Sequence, residues 1–207
     1  MQAEQCSSVI LSRQAYGDND QVISAFTLEH GRLSAFARSA AKSRKRFVGS
    51  LDPASQHLLM LKLKQDGLSF LERSEQVMPA PGFGNRLGSL ALAFYSCELV
   101  EQLTPEGQPL PRLFRLLSVF LKHLAKADVQ QGTRRFFEIN LLNILGYCPP
   151  LTGSLLAPLR ACLATARFDS VVFLPAQLDA AGQLLDQELE RHCPRSRRSL
   201  EFLAGVL

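Results

Sequence analysis

The hydrophobic period of this chain changes once, at residues 78–82, and that change limits the fold more than any other feature. Before it, apolar residues recur every second position, the period of a half-buried strand. In Gln21 to Glu29, Val22, Ser24, Phe26 and Leu28 oppose Ile23, Ala25 and Thr27. His30-Gly31 then supplies a turn, and Arg32 to Ser39 alternates again, with Leu33, Ala35 and Ala37 opposing Ser34, Phe36 and Arg38. Val9-Ile10-Leu11 is a short apolar run, and Leu59, Leu61 and Leu63 oppose Met60, Lys62 and Lys64. Asp66-Gly67 is a hairpin turn pair, and Leu68 to Glu75 reads as the return strand. About five strands with one longer connection at 40–55 call for a small barrel or sandwich. An oligonucleotide-binding (OB) barrel is the preferred form, although periodicity does not separate it from an SH3-like barrel.

Met78-Pro-Ala-Pro-Gly82 breaks the alternation. Beyond it, Leu87, Leu90, Ala91, Phe94, Cys97 and Val100 follow helical steps. Leu113, Leu116, Leu117, Phe120, Leu121 and Leu124 form the clearest amphipathic stripe. Thr133 to Leu145 is apolar nearly all round, which marks a central helix, and Gly146 is placed to cap it. Residues 148–176 are irregular, with an Ala-rich piece from Leu159 to Arg167 and a strand-like Val171-Val-Phe-Leu174. A last helix at 177–193 turns Leu178, Ala181, Leu185 and Leu189 inward. The expected class is α+β: a barrel domain at 1–78, a linker at 79–82, and a helical domain at 83–207 with an irregular insert at about 148–176.

The apolar share, 46%, suits a globular chain with a true core. No run approaches the ~18 apolar residues of a membrane span. The polar start Met1-Gln-Ala-Glu-Gln5 lacks a signal-peptide layout, so a cytoplasmic location is expected. The five cysteines are scattered, without a C-x-x-C pair, and read as reduced thiols rather than metal ligands.

Net charge is only +4, but its distribution is uneven. Between Arg32 and Leu51 stand Arg32, Arg38, Lys42, Arg44, Lys45 and Arg46, with no acid among them. A loop after a strand, small residues included, can lay such cations along a phosphate backbone and release counterions. Phe47 beside them is a candidate for base stacking. The expected binding is therefore independent of sequence and sensitive to salt. Lys62 and Lys64 would extend the patch if their faces agree. Against this stands a plain solvated loop.

Arg134 and Arg135 open the third helix, where the macrodipole disfavours cations. Two readings remain. An acidic peptide tail docks its carboxylates there, or Glu138, at i+4 and i+3, neutralises them internally. Arg195, Arg197 and Arg198 form a further basic group near the end. No phosphate loop, nucleophile elbow or H-E-x-x-H occurs, the four histidines are isolated, and Gly82-Phe-Gly-Asn-Arg-Leu-Gly88 follows a linker rather than a strand. No enzyme activity and no cofactor are expected.

Several segments resemble the bacterial RecO family. Val9-Ile-Leu-Ser-Arg13 with Tyr16-Gly-Asp-Asn-Asp20 is similar to its opening, and Phe26-Thr-Leu-Glu-His-Gly-Arg-Leu33 to its first hairpin. Ala40-Ala-Lys-Ser-Arg44 and Leu51-Asp-Pro53 resemble its basic loop and the segment after it. Arg135-Phe-Phe-Glu-Ile-Asn-Leu-Leu-Asn-Ile-Leu-Gly-Tyr147 resembles its central helix, and Ser196-Arg-Arg-Ser-Leu-Glu-Phe-Leu203 its tail. These matches run in order along nearly the whole chain.

The resemblance implies an OB barrel followed by helices, binding of single- and double-stranded DNA, strand annealing, and help in loading RecA onto DNA coated with single-stranded-DNA-binding protein. It implies RecR and the acidic C-terminal tail of the single-stranded-DNA-binding protein as partners. It puts the DNA-binding loop on Lys42, Arg44, Lys45 and Arg46, and makes Arg134 and Arg135 candidates for the tail. One departure is clear: many members carry a four-cysteine zinc module after the L-G-Y, whereas Cys148 here is followed by Pro149-Pro150. A degenerate or absent zinc module is therefore expected. Two other function classes remain open. One is a protein-interaction adaptor whose barrel has no direct DNA role; the other is a nucleic-acid-processing enzyme, which the lack of a carboxylate cluster near the basic loop disfavours.

Overall fold

In a computed structural model, the described residues are 2–43, 45–64, 67–81, 86–127, 129–193, 195 and 197–205, with the side chains of Gln131 and Arg198 excepted. Six strands come first: β1 (Glu4–Tyr16), β2 (Asp20–Thr27), β3 (Gly31–Ala37), β4 (Phe47–Val48), β5 (Gln56–Lys62) and β6 (Ser69–Met78). β1 is longer than the apolar run at 9–11 suggested, because it serves two neighbours. Its first half pairs antiparallel with β5, and its second half with β2. A register shift between Ile10 and Ser12 lets one strand turn the corner between them.

The chain of neighbours runs β3-β2-β1-β5-β6, and a short parallel pairing of β3 with β6 (Ala35 with Ser69, Phe36 with Phe70) closes the ring. Five strands thus form a closed barrel. β4, only two residues long, adds to the outer side of β6 within the expected long connection. Closure through a parallel contact of third and last strands is the connectivity of the OB barrel, and it decides against the SH3-like alternative. Inside lie Cys6, Ile10, Ile23, Ala25, Leu33, Ala35, Ala37, Leu59, Leu61 and Leu71. The small alanines of β3 leave room for the leucines opposite, as dense packing of a narrow interior requires. The turn residue Asp66 lies outside the described residues.

The helices are α1 (Leu87–Leu103), α2 (Pro111–Leu124), α3 (Gln131–Leu145), α4 (Ala157–Ala164), α5 (Pro175–His192) and α6 (Arg198–Ala204). Phe136, Phe137, Ile139, Leu141 and Leu142 bury α3 in the centre. Gly146 ends it with φ 81°, a left-handed cap open to glycine at little cost. The stripe on α2 is buried as its spacing predicts, at Leu113, Leu117, Phe120, Leu121 and Leu124. In α5, Ala181, Leu185 and Leu189 are buried, and Leu178 is half-buried. Val171 to Leu174 forms no strand: Phe173 packs against Gly132, while Val172 stays 80% exposed. The Ala-rich piece is α4. Helix α6, after the basic group, has no counterpart in the sequence reading, since seven residues are too few to display a period. No helix among the described residues is long and apolar enough to cross a membrane.

Barrel and helices share one core. Val9, Leu11, Phe26 and Ala54 on the outside of the barrel pack with the buried residues of α1 and α2, and the Phe26 and Phe114 rings lie 6.1 Å apart. Polar contacts fix the seat: Ser12 Oγ donates to Glu101 at 2.6 Å, and Gln56 and Ser118 exchange hydrogen bonds at 2.9 Å. At Gly31, φ is +67° and a Cβ would stand 1.9 Å from the Gln108 carbonyl oxygen. Only glycine allows that approach of backbone to backbone. It brings the loop between α1 and α2 against β3.

Candidate nucleic-acid interface

Strand β3 leads into the basic loop. The loop is anchored from within: the Ser39 amide donates to the Asp20 carboxylate at 2.6 Å, and the Ala41 amide to the Asn19 carbonyl at 3.1 Å. It therefore sits on the turn between β1 and β2, at one rim of the barrel. Ser39 itself has φ 56°, the cost of turning the chain sharply after β3. Arg38, Lys42 and Lys45 are exposed there, and no ion pair engages their side chains among the described residues. Arg46 is half-buried and has a different task. Its guanidinium donates to the Arg38 carbonyl at 2.6 Å and to Ser43 Oγ at 3.2 Å, and lies 5.1 Å from the centre of the Phe47 ring. It braces the loop from inside. Arg44 lies outside the described residues.

Two expectations for this surface are corrected. Phe47 is 4% exposed and belongs to the barrel core, so no base can stack on it; it is the apolar anchor that returns the loop to the sheet as β4. Arg32 donates to the Thr104 carbonyl at 2.9 Å and pairs with Glu106 at 3.0 Å, so it holds the helical domain instead of facing a ligand. Lys62 shares the register row of Phe70, so its face agrees with the patch, but it is paired with Glu72.

The aromatic residues of the outer surface are elsewhere. Tyr16, Phe36 and Phe70 stand in line on β1, β3 and β6, with ring centroids 5.7 and 6.4 Å apart. Neither Phe36 nor Phe70 is a member of the barrel core or of the shared core. The alternation held the clue: in Arg32 to Ser39, Phe36 falls in the polar phase with Ser34 and Arg38, which is the outward side.

The second pair of arginines is also corrected. Arg134 and Arg135 are 17% and 12% exposed and meet Glu138 at 2.8 Å each. Arg134 reaches Asp186 on α5 at 2.6 Å, and the Tyr95 hydroxyl of α1 donates to Glu138 at 2.6 Å. Arg197, 9% exposed, closes the group from the C-terminal segment, 3.5 Å from the Tyr95 oxygen and 3.6 Å from Asp186. Burial alone would raise the Glu138 carboxyl; the Arg135 and Arg134 guanidiniums outweigh it and hold it below its usual range. Burial, then Glu138, push the Tyr95 hydroxyl well up, so it stays a donor. These cations are committed to neutralising a buried carboxylate, which leaves no free guanidinium for an acidic tail.

Burial holds several ionisable groups in their neutral forms. The His57 ring is buried between Ser55 and Ser74, and burial lowers it to about 4, so it stays neutral. Burial pushes the Cys6 thiol up to about 11 and Cys162 to about 12, away from the reactive thiolate. Among the described residues, no three His, Cys, Asp or Glu side chains cluster as metal ligands.

A closed OB barrel with a row of aromatic rings outside its core and a basic rim, carried on a helical domain, is the architecture of an oligonucleotide-binding-barrel protein. The comparisons with known proteins are more specific. Residues 1–80 match the family model for the recombination protein O N-terminus, and residues 85–156 that for its C-terminus. The chain is 39% identical to the DNA repair protein RecO of Pelobacter propionicus, an alignment covering all of this chain and 98% of that protein. It is 35% identical to that of Geobacter sulfurreducens, over 96% of each. The chain belongs to the RecO family, and membership places it in DNA repair and recombination. The first of these alignments spans 241 positions, more than the 207 residues here, so that relative carries residues this chain lacks.

The arginine cluster yields the first test. Glu138→Ala leaves Arg134 and Arg135 buried without their shared carboxylate, and stability should fall by about 3–5 kcal/mol. Urea unfolding measures this; a loss under about 1 kcal/mol would mean that the cluster is solvated and the arginines free.

Proposed function

We propose that this chain is a DNA-binding recombination mediator that acts without an active site, neutralising single- and double-stranded DNA on the basic rim of its barrel. The observation that carries the reading is the group Arg38, Lys42 and Lys45: exposed, without acidic partners among the described residues, and held on a loop fixed by Asp20, Asn19 and Arg46. A braced loop loses little conformational freedom on binding. Such cations meet phosphates rather than base edges, so affinity follows charge and not sequence. Annealing then needs no catalytic residue. Two strands whose charge is neutralised on one surface no longer repel each other. Helping RecA onto DNA covered by single-stranded-DNA-binding protein, with RecR as partner and at the nucleoid, completes the reading that family membership supports.

Within the same reading, the acidic tail of the single-stranded-DNA-binding protein has a different seat from the arginines of α3. Lys122, Lys126 and Arg167 surround a groove floored by Val119 and Phe168, between the end of α2 and residues 165–170. Val119 is 51% exposed, so an apolar chain end has a surface to cover, with three cations around it for carboxylates and one acid, Asp169, engaged by His123 at 3.1 Å. The charge reversals Lys122→Glu and Lys126→Glu together should weaken binding of an acidic peptide with an apolar C-terminus by roughly tenfold or more, read by fluorescence anisotropy. An unchanged affinity removes the groove from the proposal.

The principal test is the salt dependence of DNA binding. Replacing Arg38, Lys42 and Lys45 by Ala should flatten the plot of log affinity against log salt by about 2 for single strands. An equal slope in wild type and variant would leave the rim without a role and favour the adaptor reading.

A further inference from the structure

The peptide unit between Arg38 and Ser39 is gripped at both ends. Its carbonyl accepts from the Arg46 guanidinium at 2.6 Å, and its amide donates to the Asp20 carboxylate at 2.6 Å. A cation thus holds the oxygen and an anion the N–H of one peptide, and both bonds are of the strong, charge-assisted kind. They fix the plane of the peptide, and with it the turn at Ser39, whose φ of 56° is costly for a residue other than glycine. Further ties follow along the loop. The Lys42 and Ser43 amides donate to the Ser39 carbonyl at 3.2 and 3.0 Å, and the Phe47 amide to the Ser43 carbonyl at 3.1 Å. Lys42 and Lys45 stand within these ties, so the setting of the 38–39 peptide aims both.

We propose that Asp20 and Arg46 are a positioning pair for DNA: neither meets the strand, and together they set the peptide that aims the cations of the rim. The inference rests on the DNA-binding reading above. Its sharpest consequence is that Asp20, an acid beside a cationic rim, strengthens the binding of a polyanion. Charge alone gives the opposite sign, since a carboxylate near phosphates repels them and its removal should tighten binding. Asp18, two residues earlier on the same turn, is the plain electrostatic case: it is exposed, and its side chain has no partner among the described residues. Asp20 is half-buried, forms no ion pair with the described loop cations, and turns its carboxylate to the Ser39 amide. Without that acceptor the turn opens, Lys42 and Lys45 spread over many positions, and binding has to order them again.

Three substitutions separate charge from geometry. Asp20→Ala removes both the charge and the acceptor. Asp20→Asn removes the charge and keeps an oxygen for the Ser39 amide. Asp18→Ala removes an equal charge from the same turn. The affinity of the full chain for a thymidine homopolymer is read at several salt concentrations, with urea unfolding as the check on the fold. Asp18→Ala should bind about twofold tighter. Asp20→Asn should bind at least as tightly as wild type. Asp20→Ala should bind roughly threefold to tenfold more weakly. Its salt slope should equal that of wild type, because the bound state keeps the same phosphate contacts. Arg46→Ala should show the same parallel loss. Limited trypsin digestion of the free protein, read by mass spectrometry, should cut after Lys42 and Lys45 several-fold faster in Asp20→Ala than in wild type or Asp20→Asn.

The proposal is overturned if Asp20→Ala tightens binding as Asp18→Ala does, since the carboxylate then acts only as a charge. It is also overturned if Asp20→Asn is as weak as Asp20→Ala, or if the loop of Asp20→Ala resists trypsin as well as that of wild type. A flatter salt slope for Arg46→Ala overturns it too, because that cation would then be a phosphate contact. Should Asp20→Ala fail to fold, Asp20→Glu keeps the charge and displaces the carboxylate by one methylene. That variant should lose affinity and open the loop to trypsin, and wild-type behaviour in it would end the proposal. Equal salt slopes for wild type and the variant lacking Arg38, Lys42 and Lys45 would instead fail the basic rim. The trypsin arm would still read whether Asp20 holds the loop, so the two readings fail separately.

Discussion

The short parallel contact of β3 with β6 is the constraint on which the surface of this protein depends. Two residue pairs close the barrel, and they fix what every outward side chain of β3 does. Its inward residues Leu33, Ala35 and Ala37 fill the narrow interior. Its outward residues then fall in order along one line. Arg32 grips the helical domain, Ser34 donates to Glu106, Phe36 stands beside Phe70, and Arg38 opens the basic loop. A slip of one residue would send all four into the interior and the alanines to the surface. The barrel's own packing thus sets the order of clamp, aromatic row and cationic rim.

The arginines divide by environment. Arg134, Arg135 and Arg197 in the helical domain are committed to buried or half-buried carboxylates: Glu138 and Asp186 serve these three guanidiniums between them, with the exposed Glu190 3.5 Å from Arg197. Removing one partner of such a group leaves a charge in a low-dielectric setting, which is why the group behaves as one unit. At the barrel rim, Arg38, Lys42 and Lys45 remain in water, where a cation costs nothing to keep and can exchange its counterions for phosphate. Equal formal charges therefore have unlike meanings in the two places, and only burial tells them apart.

Much of the architecture was legible in the sequence. The change from period two to helical steps gave the two halves, and the stripe from Leu113 to Leu124 lies buried as its spacing implies. The family resemblance pointed to the OB barrel that the structure has. The site was less legible, for physical reasons. Arg32 and Lys42 look alike in a charge run, but Arg32 meets Glu106, 74 residues away. Phe47 follows four cations in a stretch of five, and nothing local shows that it turns into the barrel. Arg134 and Arg135 had both readings open, and the i+3 and i+4 partner Glu138 decided it, joined by Asp186 from α5. Phe36 and Phe70 become neighbours only on closure of the sheet, a contact between residues 34 apart. Val171 to Leu174 misled because β-branched residues favour extended backbone whether or not a neighbouring strand exists.

The central claim is that DNA lies over the rim formed by the loop after β3, and lysine footprinting reads it residue by residue. The full chain would be acetylated with and without a single strand, and modification rates followed by mass spectrometry. Lys42 and Lys45 should be strongly protected by the strand, while Lys122 and Lys126 on the helical domain should keep their rates. Protection of the helical lysines with Lys42 and Lys45 unchanged would contradict the account, because DNA would then bind the helical domain and not the barrel rim.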